Sequence, residues 1–176
     1  MRSGAHPPVT ARGRVNGRDV ETAIAAQTLL IDFLRDAMHL RGVKRSCDVQ
    51  ACGACTVLLD GRPVSACTTL ALELDGCDVE TVEGMREASG LGAVQQAFID
   101  AGAIQCGFCT PGFVMTVHAL LRQYPDADRP MIIHELAGNI CRCSGYESIV
   151  HAAELARDRL RERAAAPSEA VVARER

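Results

Sequence analysis

The cysteines constrain this chain more than any other feature, because eight of the nine fall into two sets of four. The first set is spaced C-x4-C-x2-C-x11-C and the second C-x2-C-x31-C-x-C. The first spacing is the plant-type pattern in which four thiolates close around two irons. We therefore predict two [2Fe–2S] clusters. The predicted ligands are Cys47, Cys52, Cys55 and Cys67 for the first cluster and Cys106, Cys109, Cys141 and Cys143 for the second.

A four-thiolate zinc site is the alternative for both sets. Structural zinc sites usually take two short C-x2-C pairs, and neither set has that spacing. Neither set contains a histidine at ligand spacing, which argues against a Rieske-type centre. Cys77 is left over and is predicted to be a buried, unreactive thiol, although its role stays open.

Composition excludes several classes of function. The 176 residues have a net charge of −3, with 4 Phe, 2 Tyr and no Trp, so neither a basic face nor stacking platforms favour nucleic-acid binding. No apolar stretch approaches the length of about 18 residues that a membrane span requires, and no signal peptide is recognisable. We expect a cytoplasmic protein without a membrane span, and in that reducing compartment clustered cysteines favour metal over disulfides.

The first half of the chain predicts a small α+β unit. Residues 1–11 form a predicted flexible tail, and residues 12–84 a ferredoxin-like domain of the β-grasp kind. Asn16-Gly17 and Asp60-Gly61 predict the turns of two hairpins, since both pairs suit type I′ turns. The other predicted elements are a helix capped by Thr28 and ending near Met38, and a strand over Val79–Val82.

The second half predicts helices. A linker over residues 85–92 leads to a helical domain over residues 93–163, and residues 164–176 form a second flexible tail. Thr110 is predicted to cap one helix, and Ser144 with Glu147 to form a capping box for another. Both helix starts follow predicted ligands, so their partial positive charges should face an anionic cluster. The predicted helices are Leu91–Ala101, Pro111–Gln123, Pro130–Ala137 and Tyr146–Arg163.

Three motifs together resemble the iron–sulfur subunit of the molybdenum hydroxylases, the family of xanthine dehydrogenase and aldehyde oxidase. The resemblance covers roughly residues 12–160. Ser46 and Gln50 stand where glycine is usual in that family, and Ser144 replaces a common threonine. The motifs are Cys47-Asp-Val-Gln-Ala-Cys52-Gly-Ala-Cys55-Thr, Gln105-Cys106-Gly-Phe-Cys109-Thr-Pro-Gly112 and Gly138-Asn-Ile-Cys141-Arg-Cys143-Ser-Gly-Tyr146.

The resemblance implies an α+β fold with an N-terminal β-grasp plant-ferredoxin-like domain and a C-terminal four-helix domain, each holding one [2Fe–2S] cluster. It also implies partners: a large subunit with molybdopterin, as the cytosine dinucleotide, and a medium FAD-binding subunit. The helical cluster would face the pterin, which Gln105 and Cys143 would contact. The chain would be a non-catalytic electron relay in an oxidoreductase complex, and no catalytic residue is assigned to it.

The same resemblance implies how the complex is assembled. Single-chain members of the family continue into flavin and molybdenum domains, whereas this chain has none. We therefore expect a heterotrimer, with its dimerisation left open. Two other functions are weighed beside this one: a free-standing ferredoxin that shuttles between enzymes, and a zinc-binding adaptor. The sequence does not identify the substrate of the complex or its terminal electron acceptor.

Overall fold

The N-terminal half is built on a five-stranded mixed sheet. The computed structural model describes residues 7–88 and 90–165. The strands lie in the order β2-β1-β5-β3-β4, with β1 parallel to β5 and the other neighbours antiparallel. The strands are β1 Val9–Val15, β2 Arg18–Ile24, β3 Thr56–Leu59, β4 Arg62–Ser65 and β5 Asp78–Glu80.

Both predicted hairpin turns are confirmed. Asn16 and Gly17 have φ angles of 51° and 75°, and Asp60 and Gly61 have φ angles of 49° and 76°. Two consecutive residues with positive φ make the type I′ turn, whose twist matches that of the strands it joins. The pairing is accordingly tight, with Val15 opposite Arg18 in the first hairpin.

The prediction of a tail over residues 1–11 is wrong for its last three residues. Val9 to Ala11 belong to β1, where Val9 pairs with Ile24 and Ala11 pairs with Thr22. The side chain of Ala11 is fully buried, so this end of the strand contributes to the core. Pro7 and Pro8 precede the strand, and residues 1–6 lie outside the described part of the chain.

The first helix is shorter than predicted and is not capped by Thr28. It consists of α1, Leu30–Asp32, followed by a π-helical turn over Phe33–Ala37. Leu29 precedes it in an extended conformation and forms a bridge with Leu70, while the carbonyl of Thr28 accepts a hydrogen bond from Ala71 N. Pairing to this neighbouring segment outweighs the capping propensity of Thr28. The helix buries four large side chains, Leu30, Ile31, Phe33 and Leu34, against the sheet.

Up to residue 165, where the description ends, the C-terminal half contains four helices, as predicted. Their core includes the buried side chains of Phe98, Phe113, Ile132 and Ile149. The predicted tail over residues 164–176 overlaps the last helix at its final two residues, and residues 166–176 lie outside the described part of the chain. The helices are α2 Ala93–Asp100, α3 Thr110–Gln123, α4 Arg129–Glu135 and α5 Tyr146–Ala165, with a 3-10 turn over Leu136–Gly138.

Two predicted caps are wrong. Thr110 is the first residue of α3 rather than its cap, a position that Cys109 occupies. Ser144 does not lie directly before α5, because Gly145 intervenes, and Ser144 has a φ of 57°, unlike the extended backbone of a usual cap. Glu147 forms a hydrogen bond with Arg129 instead.

The two halves pack against each other. Leu58 of β3 and Met115 and Ala119 of α3 form a small buried cluster between them. The 3-10 turn Val82–Met85 contributes partly buried side chains to this cluster. Arg122 of α3 also bonds Glu80 of β5 at 2.8 Å. The linker predicted over residues 85–92 thus begins within a packed turn, and α2 follows it at Ala93.

Candidate metal centres

The first set of cysteines lies on the loop between α1 and β3 and on the turn after β4. Cys55 and Cys67 are buried, and Cys47 and Cys52 are partly exposed. Gly53 has a φ of 67° in this loop, which an L side chain rarely adopts. The β3–β4 hairpin brings together Cys55 and Cys67, which are 12 positions apart in the sequence.

Backbone N–H groups of this loop point at sulfur. The N–H groups of Val49 and Ala51 lower the pKa of Cys47 to about 6, and the Ala51 nitrogen lies 3.4 Å from its Sγ. Burial has the opposite effect on Cys55 and raises its pKa to about 12. The N–H groups that stabilise the anionic thiolate would also stabilise a thiolate bound to iron.

The second set lies where helices begin. Cys109 directly precedes α3, Cys106 is exposed just before it, and Cys141 and Cys143 lie on the loop before α5. The hydroxyl of Tyr146, at the start of α5, accepts a hydrogen bond from Cys141 N at 2.9 Å. A helix start leaves its first N–H groups unpaired, and the N–H of Gly145, directly before α5, bonds the sulfur of Cys141.

The electrostatics of the second set differ from one sulfur to the next. Burial raises the pKa of Cys109 to about 12. The N–H of Phe108 lowers the pKa of Cys106. Burial acts to raise the pKa of Cys141, but N–H groups led by that of Gly145 outweigh it and lower the pKa overall. A hydrogen bond with Cys106 raises the pKa of Cys143.

Within each set the thiols form two pairs. A [2Fe–2S] cluster has two irons, and four thiolates divide between them. The four thiols of each set thus supply the donor chemistry that such a cluster takes. Within residues 7–88 and 90–165, no group of three or more His, Cys, Asp or Glu is arranged to hold a single metal ion. The thiols that lie close enough to shift the pKa of one another are Cys47 with Cys52, Cys55 with Cys67, Cys106 with Cys143, and Cys109 with Cys141.

Gln105, predicted to contact a pterin, lies at the surface next to the second set. Its side chain is exposed and lines an open hollow of about 440 Å³ together with Ser144 and Gly145. A Cβ added to Gly145 would lie 3.3 Å from Gln105 Nε2, so the amide rests against the backbone of the loop that carries Cys143. The exposed amide of Gln105 thus lies beside the loop that carries Cys143.

Cys77 is partly exposed rather than buried, contrary to the prediction. It lies in the tight turn before β5, where its neighbours leave one side open. A hydrogen bond to the carboxylate of Asp60 raises its pKa. Cys77 therefore stays a protonated thiol at neutral pH, which agrees with the expectation that it is unreactive.

Sequence reasoning missed Asn139. It is a buried polar residue, 6% exposed, on the loop before Cys141. Its Nδ2 donates to the carbonyl of Gly53 at 3.1 Å, and its Oδ1 accepts from Thr116 Oγ1 at 3.0 Å. The 3-10 turn over Leu136–Gly138 ends directly before Asn139. The contact with Gly53 joins residues 86 positions apart, so no local pattern reveals it.

Comparisons with known proteins agree with this geometry. Residues 14–78 match the family described as 2Fe-2S iron-sulfur cluster binding domain, and residues 81–154 match the [2Fe-2S] binding domain family. Each match contains one of the two cysteine sets. No helix within the described residues is long and apolar enough to cross a membrane.

Similar proteins come from several bacteria. The chain is 45% identical to the 6-hydroxypseudooxynicotine dehydrogenase complex subunit beta of Paenarthrobacter nicotinovorans, over 78% of this chain and 87% of that one. It is 41% identical to the xanthine dehydrogenase iron-sulfur-binding subunit of Escherichia coli O157:H7, over 81% and 91%. A chain of quinoline 2-oxidoreductase from Pseudomonas putida 86 superimposes with a TM-score of 0.84 at 35% identity, over 89% and 98%. The chain belongs to the family of iron–sulfur subunits of the molybdenum hydroxylases.

Proposed function

We propose that this chain passes single electrons from a molybdopterin site on a large partner subunit, through two [2Fe–2S] clusters, to FAD on a medium partner subunit. The observation that carries the proposal is that each half of the chain matches an iron–sulfur cluster binding family, and each match contains one set of four cysteines. When bound, each cluster would accept and release one electron at a time. The relatives named above support the relay, since the chain spans most of their length.

The residues of each site would hold and tune its cluster. Cys47, Cys52, Cys55 and Cys67 would hold one, and Cys106, Cys109, Cys141 and Cys143 the other. N–H groups such as those of Ala51 and Gly145 point at ligand sulfurs and would stabilise the negative charge that reduction adds. Burial of Cys55 and Cys141 keeps water from one side of each site.

One hydrogen bond links the two sites through the backbone. Ile140 N donates to the carbonyl of Cys52 at 2.9 Å. Cys52 is a ligand of the proposed first cluster, and Ile140 directly precedes Cys141, a ligand of the proposed second cluster. A continuous path of bonds therefore runs from one ligand set to the other. Such a path suits electron transfer between the two proposed clusters within this chain.

The surface around the second site suits a large partner. Four large apolar side chains are exposed near its ligands, each adjacent in sequence to a cysteine or to the loop that carries one. Clustered exposed apolar residues mark protein–protein contacts more often than free surface. Gln105 and Cys143 are the residues we assign to pterin contact, since Gln105 is exposed there. The exposed apolar residues are Ile104 (43%), Phe108 (46%), Ile140 (52%) and Tyr146 (44%).

The proposal is tested by metal content and electron paramagnetic resonance (EPR). The chain expressed with iron should contain about four iron atoms and show two distinguishable reduced [2Fe–2S] signals. Cys109→Ser should remove one signal and keep the other, because the sulfur is lost from one site. Cys77→Ser is the matched control and should keep both. An iron-free chain, or a zinc-filled one, would contradict the proposal.

Co-purification separates the relay subunit from the free-standing ferredoxin. A subunit expressed with its neighbouring genes should travel with chains that contain molybdenum and flavin. A ferredoxin shuttle would remain a small monomer under the same conditions. A monomer that carries both clusters and binds no such chain would reject the assembly while leaving the clusters in place.

A further inference from the structure

The side chain of Asn139 joins the two cysteine loops directly. Its donor and its acceptor are both used, because Nδ2 bonds the Gly53 carbonyl and Oδ1 accepts from Thr116. Gly53 lies between the ligands Cys52 and Cys55, and Asn139 lies two residues before Cys141. A buried amide with both ends satisfied holds one orientation, since turning it would leave polar groups unpaired.

The packing around this amide leaves no room for adjustment. A Cβ added at Gly53 would lie 2.4 Å from Asn139 Nδ2, and a Cβ added at Gly112 would lie 2.2 Å from the Gly53 carbonyl oxygen. The Thr116 hydroxyl lies 3.0 Å from both Asn139 Oδ1 and the Gly112 carbonyl oxygen, so its single proton is shared between the two acceptors and ties Asn139 to the start of α3. The first loop, the start of α3 and the second loop therefore meet at one point.

We propose that Asn139 is a positioning residue that sets the separation and orientation of the two clusters, and with them the rate of electron exchange. The proposal rests on both clusters being bound as proposed above. The Cys52–Ile140 hydrogen bond supplies a path between the sites, but a single backbone bond leaves the two loops free to rotate about it. The Asn139 amide adds a second fixed point beside it, and the close approach of Gly112 to the Gly53 carbonyl adds a third, so three contacts together fix the orientation of the loops.

The test measures the magnetic interaction between the two reduced clusters in the full chain. Each reduced cluster carries one unpaired spin, and the dipolar splitting between two spins falls with the third power of their separation. Asn139→Asp keeps the shape of the side chain and the acceptor for Thr116, but it places an oxygen against the Gly53 carbonyl. Gln95→Ala is the matched control, since it removes an amide that also makes two hydrogen bonds, to Val82 and Gly92, away from the cysteines.

We expect wild-type and Gln95→Ala chains to show two spins with the same mutual splitting. Asn139→Asp should keep two spins and show a smaller or lost splitting. An unchanged splitting in Asn139→Asp, an equal change in Gln95→Ala, or no splitting in the wild-type chain would each overturn the inference. The iron content and spin count of the wild-type chain report separately on the proposed function.

A second variant covers the case in which Asn139→Asp binds fewer than two clusters. Thr116→Val removes the hydrogen bond to Asn139 Oδ1 and leaves the amide itself in place. The chain should then keep both spins with a reduced or broadened splitting, because the amide is held at one end only. A splitting that stays at the wild-type value in Thr116→Val would overturn the inference in that case.

Discussion

Positive φ angles mark the residues at which the cysteine loops are most constrained. Asp48 and Gln50 lie in the first loop with φ angles of 55° and 58°, and Ser144 lies beside Cys143 at 57°. Residues with side chains adopt this conformation at a cost of about 1 kcal/mol or more, which the surrounding structure must offset. The resemblance noted in the sequence leads us to expect glycine at position 50, and the observed φ of Gln50 supplies a physical reason for that expectation. Its side chain accepts a hydrogen bond from Thr68 instead, at 3.3 Å.

His118 should make the stability of the chain depend on pH. Burial lowers its pKa, and Arg122 adds to this effect while Glu80, 4.0 Å away, opposes it. As the pH falls below the ordinary value of about 6.5, the unfolded chain binds a proton before the folded one, so the free energy of unfolding decreases. The melting temperature of His118→Gln should therefore fall less between pH 7.5 and pH 5.5 than that of the wild-type chain.

The control for this prediction is His134→Gln, at an exposed histidine on α4. Both variants keep every cysteine, so any loss of cluster at low pH is common to them and to the wild-type chain. If the melting temperatures of His118→Gln, His134→Gln and the wild-type chain fall by the same amount, burial of His118 has no bearing on acid stability.

Among the elements, the start of α3 lies very close to another part of the chain. Gly112 lies in its first turn, where the helix meets the backbone of Gly53. Pro111 beside it suits a first turn, since its missing N–H would have no helical partner there. The sequence predicts this helix and its start almost to the residue. It does not predict which loop the helix start would touch, because that contact joins the two halves of the chain.

Gly112→Ala should separate these elements. The added Cβ would lie 2.2 Å from the Gly53 carbonyl oxygen, so backbone must move, at a cost of about 2 kcal/mol or more. Gly138→Ala is the matched control, because a Cβ there meets nothing within 4 Å. Denaturant unfolding of the iron-loaded chains should show a large decrease in the free energy of unfolding for Gly112→Ala. For Gly138→Ala the free energy of unfolding should change by less than about 1 kcal/mol. Equal stabilities would mean that the contact between α3 and Gly53 is loose.

At the scale of the whole molecule, the two halves have separate cores that meet through a third, smaller cluster. The first core lies between the sheet and α1, and the second lies among the four helices. Leu58, Met115 and Ala119 form the cluster between them. Domains of this size bury little apolar surface. Each half therefore gains stability from contact with the other half, and a bound iron–sulfur cluster would add to it.

Met115→Ala should weaken the link between the halves. Met115 is 1% exposed in the interdomain cluster, and removal of its side chain should cost about 2–4 kcal/mol. Met131→Ala on α4 is the control, since Met131 is 37% exposed, and it should cost less than about 1 kcal/mol. Calorimetry should resolve two transitions in the Met115 variant where the wild-type chain shows one. A single transition at the wild-type temperature would contradict a stabilising interface.

The sequence by itself determined the two cysteine sets, the hairpin turns at Asn16-Gly17 and Asp60-Gly61, the order of a sheet-forming half and a helical half, and the family. These features depend on spacing, turn chemistry and periodicity, all of which are local. The tertiary structure alone decided that β1 begins at Val9, that α1 is short, and that Cys109 and Gly145 take the places expected of Thr110 and Ser144. It also decided the contact of Asn139 with Gly53. The physical reason is that these outcomes depend on hydrogen bonds and packing between segments far apart in the chain, which compete with and override local preference.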